Sequence, residues 1–305
     1  MELYWMGKNI TRFVNITGCE HRDFSGGKCD CLELTLDNAS DWYRWGPRED
    51  DEVRVTDGLF DTGTLYLTAV LPAEGRYRLL ATGVKQAARR KAWASYANIN
   101  IEKLMQRVSA ECGMEARLFG VNGALTYGYV LRENEGCAAF LSRVGQWDGF
   151  TVKAFNGALR AVSIAYAQNM PPEANIRIES GQQGVIYRRF DNDRWAGVTV
   201  KTPFAEATAR DSAVTLGSVN VFTDLPAADN AQAGRWARGL LLAHNRQCEE
   251  LITEQELNTG LRALARVDVY GGTDADGKWI CDMAEHNIIE KRTRARFLRV
   301  TDTIG

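Results

Sequence analysis

The sequence predicts a mainly β protein in which two similar antiparallel β-domains flank a mixed α/β middle domain. Alternating apolar and polar runs fill the N-terminal part and resume after residue 171, as expected of half-buried strands. The stretch between them shows helical apolar spacing. The predicted domains are residues 1–90, a first β-domain, residues 91–170, an α+β insertion, and residues 171–305, a second β-domain with a long helix.

Alternation marks the strands of the first domain. Leu32, Leu34 and Leu36 alternate with polar residues, and Val53 and Val55 do the same. Gly, Asp and Pro residues separate these runs, which is typical of turns between short strands. Antiparallel β-structure therefore follows for this part of the chain.

Two helices and a hairpin are predicted for the middle domain. Apolar residues fall on one helical face over residues 98–113 and again over residues 134–147. Asn156-Gly157, between two alternating runs, predicts a hairpin with a type I′ turn, because both residues tolerate positive φ. A longer helix is predicted in the third domain from residue 228 to residue 248.

The two ends of the chain echo each other. Val-Arg-Val at 53–55 is followed by Asp57-Gly58, and Val-Asp-Val at 267–269 is followed by Gly271-Gly272. Each is followed by a strand, a loop and a final strand. Pro171-Pro172 lies between the two stretches and stiffens the connection. The echo indicates one structural unit used twice.

Composition excludes some classes of function. Among the 305 residues, 45% are hydrophobic and 25% charged, the net charge is -2 and the pI about 6.0. These values are typical of a soluble globular protein and give no basic surplus for tight nucleic-acid binding. No apolar run reaches bilayer length, and the N-terminus does not resemble a signal peptide. We expect folding in a cytosol, with the seven cysteines reduced.

The acidic loop near the C-terminus does not predict a calcium site. Counted from Asp274, the EF-hand pattern is met by Asp276 at the third position and Glu285 at the twelfth. Lys278 stands at the fifth position, where an oxygen ligand is needed, and Trp279 replaces the glycine at the sixth. Asp276-Gly277 is interpreted as part of a hairpin turn.

Cys19, His21, Cys29 and Cys31 form the one cluster that resembles a metal site. Structural zinc usually uses cysteines separated by two to four residues, whereas Cys29 and Cys31 are separated by one. On a strand these two share a face, so chelation stays open. The alternative is that the cysteines act as small hydrophobic residues.

Residues that could carry catalysis are not arranged in any familiar pattern. The three histidines are His21, His244 and His286, and no catalytic signature surrounds any cysteine, such as Cys112 or Cys137. We find no phosphate-binding glycine loop and no GxSxG elbow. The prediction is a non-enzymatic protein with no catalytic, cofactor-binding or metal-binding residues.

The stretch LTYGYVLRENEGCAAFLSRVGQWDGF at 125–150 resembles the signature of phage tail baseplate hub proteins. That family includes the late control gene D proteins of contractile-tailed phages and the hub-like N-terminal part of VgrG spike proteins. The matching residues are Tyr127, Tyr129, Arg132, Glu133, Glu135, Phe140, Leu141, Arg143 and Gly149. Glu135-Gly136-Cys137 replaces the usual Glu-Ser-Asp. Near the C-terminus the matches are Ala233, Ala237, Leu241, Asn245, His286, Arg299 and Val300.

The resemblance implies a fold and an assembly. The fold is two tube-like antiparallel β-barrels flanking the α/β insertion. The assembly is a homotrimer, a pseudo-sixfold ring that joins the tail tube protein to the central spike protein, in contact with the tape measure protein and other baseplate proteins. The implied location is the virion tail baseplate, or a tailocin particle, assembled in the bacterial host cytoplasm, with no membrane or specific nucleic-acid partner.

Two other functions compete with the hub. One is a tail-associated cell-wall hydrolase, which the missing catalytic pattern disfavours. The other is a β-rich ligand-binding protein, for which one barrel would suffice.

Contacts between chains are predicted at strand edges, because an uncovered edge invites pairing. The last predicted strand places Arg292, Arg294 and Arg296 on one face, where they could meet acidic residues of a neighbour, namely Asp50, Asp51 and Glu52. The alternative is an ordinary solvated face.

Overall fold

The computed structural model describes residues 1–37, 46–73 and 75–305. The first strands are β1 Glu2–Trp5, β2 Lys8–Asn9, β3 Asn15–Phe24, β4 Cys31–Asp37, β5 Glu52–Asp57, β6 Phe60–Asp61, β7 Leu65–Ala73 and β8 Arg76–Thr82. The middle contains α1 Gln86–Arg89, β9 Ala92–Asn100, α2 Ile101–Glu111, β10 Glu115–Phe119, β11 Thr126–Glu135, α3 Cys137–Trp147, β12 Phe150–Phe155, β13 Ala158–Ser163 and α4 Ile164–Asn169. The remainder contains β14 Ala174–Arg177, β15 Val185–Arg189, β16 Gly197–Lys201, β17 Glu206–Arg210, β18 Val219–Phe222, α5 Asn230–Asn245, β19 Glu249–Glu256, β20 Arg266–Tyr270, β21 Gly277–Asn287 and β22 Arg292–Arg299.

One sheet of fourteen strands contains the same strand path twice. In the first β-module, β1–β8, the order is β3-β4-β8-β7-β5, with β1 next to β5. In the second β-module, β14, β15 and β19–β22, the order is β15-β19-β22-β21-β20, with β14 next to β20. The echo between the two ends of the chain is therefore a repeat of topology.

The repeat holds residue by residue across the strands. In the first β-module, the residues paired across the successive strands β3, β4, β8 and β7 include Arg22, Cys31, Thr82 and Tyr66. In the second β-module, the residues paired in the same way across β15, β19, β22 and β21 are Arg188, Glu250, Leu298 and Ile280.

Backbone hydrogen bonds and bulges repeat as well. Leu67 of β7 exchanges two backbone hydrogen bonds of 2.9 Å with residues 50–51. Cys281 of β21 does the same with residues 264–265, at 2.8 and 2.9 Å. Directly after each of these residues the register with the next strand shifts, as at a β-bulge. Leu67 and Cys281 thus occupy the same structural position.

Each β-module curls around an apolar core of its own. The inward residues of the first core include Leu34, Val55, Leu67 and Leu79. Those of the second include Leu251, Val269, Trp279 and Phe297. The predicted alternation sets this arrangement, because every second side chain of a strand points to one face. The fold is mainly β with helices between the modules, as predicted.

Two details go beyond the prediction. β14 pairs with β20 in parallel, whereas β1 pairs with β5 antiparallel. The hydrogen-bonded path of the described strands also ends at β15 on one side and β2 on the other.

The helices and the hairpin of the middle part are confirmed. α2 begins after Asn100, whose side-chain oxygen accepts a 2.8 Å hydrogen bond from the Lys103 N–H. Asn156 and Gly157 have φ of 48° and 71°, and Phe155 pairs with Ala158, as a type I′ hairpin requires.

The long helix α5 shares a core with the middle part. Trp236 of α5 is fully buried, and its ring centroid lies 4.8 Å from that of Trp147 in α3. Val198 and Val200 of β16 belong to the same core. The small sheet β17-β16-β18 and α5 therefore pack with the middle part. The predicted domain boundaries remain predictions.

Candidate functional site

The joint between the two β-modules is the strongest candidate for a functional feature. β21 of the second β-module pairs antiparallel with β3 of the first, from Met283 opposite Phe24 to Asn287 opposite Glu20. On the outer face the Arg22 Nε donates a 2.9 Å hydrogen bond to Glu285. This strand pair makes the two curled sheets one continuous sheet.

A buried ion cluster fastens this joint to the middle part. The Lys153 ammonium of β12 donates to Asp23 and Asp30 of the first β-module, the latter at 2.7 Å. The other oxygen of Asp23 accepts a 3.0 Å hydrogen bond from the Ala263 N–H of the second β-module. One carboxylate thus contacts all three parts of the molecule.

Burial and charge compete inside this cluster. Burial alone would raise the pKa of both carboxyls, but Lys153 outweighs burial at Asp23 and holds that pKa below its usual range. At Asp30 burial prevails and raises the pKa to about 7, despite Lys153. One ammonium serves two buried carboxylates, so Asp30 takes up a proton first as the pH falls.

A histidine pair lies on the inner face of the same joint. His21 and His286 stand directly opposite each other, with parallel rings 6.5 Å apart, and Phe60 packs edge-on against both. His286 bonds to Thr293 and to the Leu261 carbonyl, both at 3.0 Å. Within the described residues both ring nitrogens of His21 are buried without a partner, and burial lowers its pKa to about 4.

The structure does not bring the four metal-site candidates together. Cys19 and His21 point into the first β-module and are buried. Cys31 lies on the outer face of β4, because the next residue, Leu32, faces the core and successive side chains of a strand point to opposite faces. Among residues 1–37, 46–73 and 75–305, no three His, Cys, Asp or Glu side chains form a group that could hold a metal ion.

The remaining cysteines and histidines do not form a nucleophile–base pair. Cys112 and Cys137 are both buried, and the interaction between their thiols raises the pKa of Cys112 and lowers that of Cys137 to about 7. His244 stacks on Trp195 at 3.6 Å and bonds to the Asp193 carbonyl. No cysteine in the described part of the chain bonds to a histidine ring.

The acidic loop is a turn. The Asp276 carboxylate accepts hydrogen bonds from Gly272 and Thr273, at 2.8 and 3.2 Å, and so closes the connection between β20 and β21. Glu285, the twelfth EF-hand position, instead pairs with Arg22.

The predicted role of the C-terminal arginines at a strand edge is wrong. β22 lies between β19 and β21, so it has no free edge. Arg292 pairs with Glu254 at 3.3 Å, and Arg296 with Glu250 at 2.9 Å, both on the adjacent strand. Asp50 and Asp51 accept backbone N–H groups of their own chain, from Gln86 and Arg48.

Two solved structures share this architecture over nearly the whole of both chains. A tail protein from Neisseria meningitidis MC58 is 11% identical, with a TM-score of 0.75 over 98% of this chain and 95% of its own. The chain has the fold of phage tail proteins. The 43 kDa tail protein of prophage MuSo2 from Shewanella oneidensis is 12% identical, with a TM-score of 0.74 over 99% of this chain and 98% of its own.

A third similar structure comes from a protein of a secretion system. The E. coli c3393 protein is described as a component of the type VI secretion system with structural similarity to the T4 bacteriophage tail proteins gp27 and gp5. It is 13% identical, with a TM-score of 0.60 over 99% of this chain and 77% of its own. No family model and no curated protein matches the sequence. None of the helices in the described ranges is long and apolar enough to span a membrane.

Sequence reasoning missed the residues that fasten the joint. Asp23 and Lys153 are 130 positions apart, and neither belongs to a motif. In the sequence, Lys153 lies at a polar position of the alternating run Phe150–Phe155, and this pattern predicts an ordinary solvent-exposed lysine.

Proposed function

We propose that the protein is a structural baseplate hub of a contractile phage tail or phage-tail-like particle. In this proposal three chains form a pseudo-sixfold ring that joins the tail tube to the central spike. The observation that carries it is the strand path present twice in one chain, since three such chains present six equivalent β-modules. The fold shared with tail proteins supports the same assignment.

The repeat lets one ring of three chains match both a sixfold tail tube and a threefold spike. The tube, built from six-membered rings, meets six similar modules, while the spike meets three identical chains. A ring of this kind needs head-to-tail contacts, in which the first β-module of one chain meets the second β-module of the next.

The fastened joint supports a structural role. Relative movement of the two modules would break the β3–β21 ladder and expose the cluster of Lys153, Asp23 and Asp30. Breaking a buried ion pair costs about 3 to 5 kcal/mol, so the joint is held firmly against the middle part. The proposal includes no enzymatic activity.

We further propose a division of the chain that follows the cores. Residues 197–245, with the small sheet and α5, would then belong with the middle part, and the second β-module would consist of β14, β15 and β19–β22.

The proposal is tested by the number of copies in the assembled particle. Particles carrying the tagged chain are imaged by electron cryo-microscopy, and the copies at the tube end are counted. Three copies are expected. Six copies, each giving one module to the ring, or absence from the tube end, would overturn the hub assignment.

A further inference from the structure

Among the strands of the described residues, the repeated path leaves one edge unpaired in each β-module. The beginning of β21 is covered by β20 and by residues 264–265, and its second half, residues 283–287, pairs with β3. The beginning of β7 is covered in the same way by β5 and residues 50–51. From residue 68 onward, β7 has β8 on one side and no strand of the described chain on the other. β15 likewise has β19 as its one partner among the described strands.

These two open edges correspond to the two strands that meet inside the chain. β7 occupies in the first β-module the place that β21 occupies in the second, and β15 occupies the place of β3. When the cross-strand residue pairs of the two β-modules are matched, Arg188 is the equivalent of Arg22 and Leu71 is the equivalent of Glu285.

We propose that β7 of one chain pairs antiparallel with β15 of a second copy, in the register that β21 and β3 use. The partner is another copy of this chain, and the inference rests on the proposed ring of three chains. Because Glu285 stands opposite Arg22 within the chain, Leu71 stands opposite Arg188 of the neighbouring chain. Every junction between modules in the ring then has the same strand geometry.

The exposed side chains on the two edges fit this register. Leu71 on β7 is 43% exposed, and Ile186 and Phe190 at the β15 edge are 44% and 43% exposed. In the proposed register Leu71 lies diagonally between Ile186 and Phe190 of the neighbouring chain, within reach of both. Leu71, Ile186 and Phe190, which are exposed in the single chain, thus bury one another in the contact between chains.

A proline limits the strength of this contact. The Ser25 N–H donates to the Asp282 carbonyl and the Ile288 N–H to the Cys19 carbonyl, so alternation directs the His286 N–H toward β3. Pro72 is the equivalent of His286, and its nitrogen therefore faces the open edge without a hydrogen to donate. The ladder between chains lacks this one bond, which keeps the pairing reversible and discourages indiscriminate edge association.

Disulfide trapping tests the register. Leu71 and Arg188 correspond to a non-hydrogen-bonded pair, where opposite Cα atoms come close enough for a disulfide. The Leu71→Cys/Arg188→Cys variant is concentrated and oxidised by dissolved oxygen with a copper catalyst, then run on a non-reducing gel. We expect covalent dimers and trimers, with a closed trimer as the limit.

Two variants serve as controls. Arg22→Cys/Glu285→Cys has the same geometry within one chain, so it should give a disulfide-linked monomer. Leu59→Cys/Leu216→Cys places thiols at positions that are 87% and 91% exposed, where only random collision links chains. Linkage of the Leu71/Arg188 pair should be at least about ten-fold faster, because paired edges raise the effective concentration of the thiols. Equal rates would overturn the proposal.

A second variant measures the edge contact without a cross-link. Pro72→Ala restores the missing N–H donor, and one added hydrogen bond should tighten self-association about five-fold in sedimentation. Unchanged or weaker association would contradict the pairing. Three copies in the particle together with no Leu71–Arg188 linkage would leave the hub standing and reject only this edge contact.

Discussion

The two β-modules differ in which of their edges the chain itself covers. In the first β-module, β3 is covered by β21, and Asp23 and His21 on it are buried. In the second, the equivalent strand β15 has one edge that no described strand covers, and the equivalent residues are the exposed Arg189 and the half-buried Tyr187. The same strand path thus serves as an internal joint in one place and as a surface in the other.

The same contrast holds on the fourth strand of each path. His286 of β21 is buried and bonded on both ring nitrogens, whereas Pro72 at the equivalent place in β7 is exposed. A covered edge tolerates a buried polar residue with partners, and an open edge holds a residue that resists pairing. Four measurements test whether covered and open edges differ in this way.

The largest effect is expected at the ion cluster of the covered joint. Lys153→Met leaves Asp23 and Asp30 buried without a counter-ion, so the free energy of unfolding should fall by about 3 to 5 kcal/mol in denaturant titration. Lys201→Met removes a cation from an exposed pair with Glu206 and should cost less than about 1 kcal/mol. Similar losses in both variants would mean that the joint is not specially fastened.

Equivalent positions on the covered and open edges should respond unequally. His286→Ala empties a buried site and leaves Thr293 and the Leu261 carbonyl without their partner, at a cost of about 2 to 4 kcal/mol. Pro72→Ala at the exposed equivalent should change the stability of the single chain by less than about 1 kcal/mol. Thermal unfolding of dilute protein checks both, and equal losses would argue against the covered–open distinction.

The covered joint should also be sensitive to acid. His21 has a folded pKa of about 4, below the unfolded value, so its neutral form stabilises the fold above pH 6.5 and this contribution is lost as the pH falls toward 4. The unfolding free energy of the native chain, relative to His21→Leu, should drop by about 2 to 3 kcal/mol from pH 7 to 4.5. A difference that stays constant with pH would show that His21 does not remain neutral.

The smallest effect is expected at the hairpin that reaches the first β-module. Asn156 accepts a 2.8 Å hydrogen bond from the Thr64 N–H, and Gly157 has a positive φ. Gly157→Ala should therefore cost about 1 to 2 kcal/mol of unfolding free energy. Gly234→Ala within α5 makes the same chemical change in a helical backbone with room for a Cβ, and should stabilise by about 0.5 to 1 kcal/mol. If both variants lost unfolding free energy, the positive φ of Gly157 would not explain the effect.

The sequence predicts what depends on neighbours along the chain. The alternation of Leu32, Leu34 and Leu36, the helix after Asn100 and the Asn156-Gly157 turn are all local patterns, and the structure confirms them. The repeat was visible at 53–55 and 267–269 because inward-facing strand residues in equivalent places keep the same apolar character.

Features that depend on sheet order could not be derived in this way. The sequence predicts the arginines of β22 at an edge, whereas β22 is a central strand. Alternation is the same for an edge and a central strand, so the sequence does not distinguish them. The meeting of Asp23 with Lys153 depends on how a β-module packs on the middle part, and no local pattern encodes such a distant contact.

A map of the assembled particle at strand resolution would show whether the junctions between β-modules of the proposed ring are alike within a chain and between chains. In a ring of three copies, β7 of one chain should pair with β15 of the next, with Leu71 opposite Arg188. The β21–β3 pair within a chain should superpose on this pair between chains. A ring whose neighbouring chains meet through β2 or the small sheet β16–β18, with β7 and β15 facing solvent, would rule out the pairing of β7 with β15.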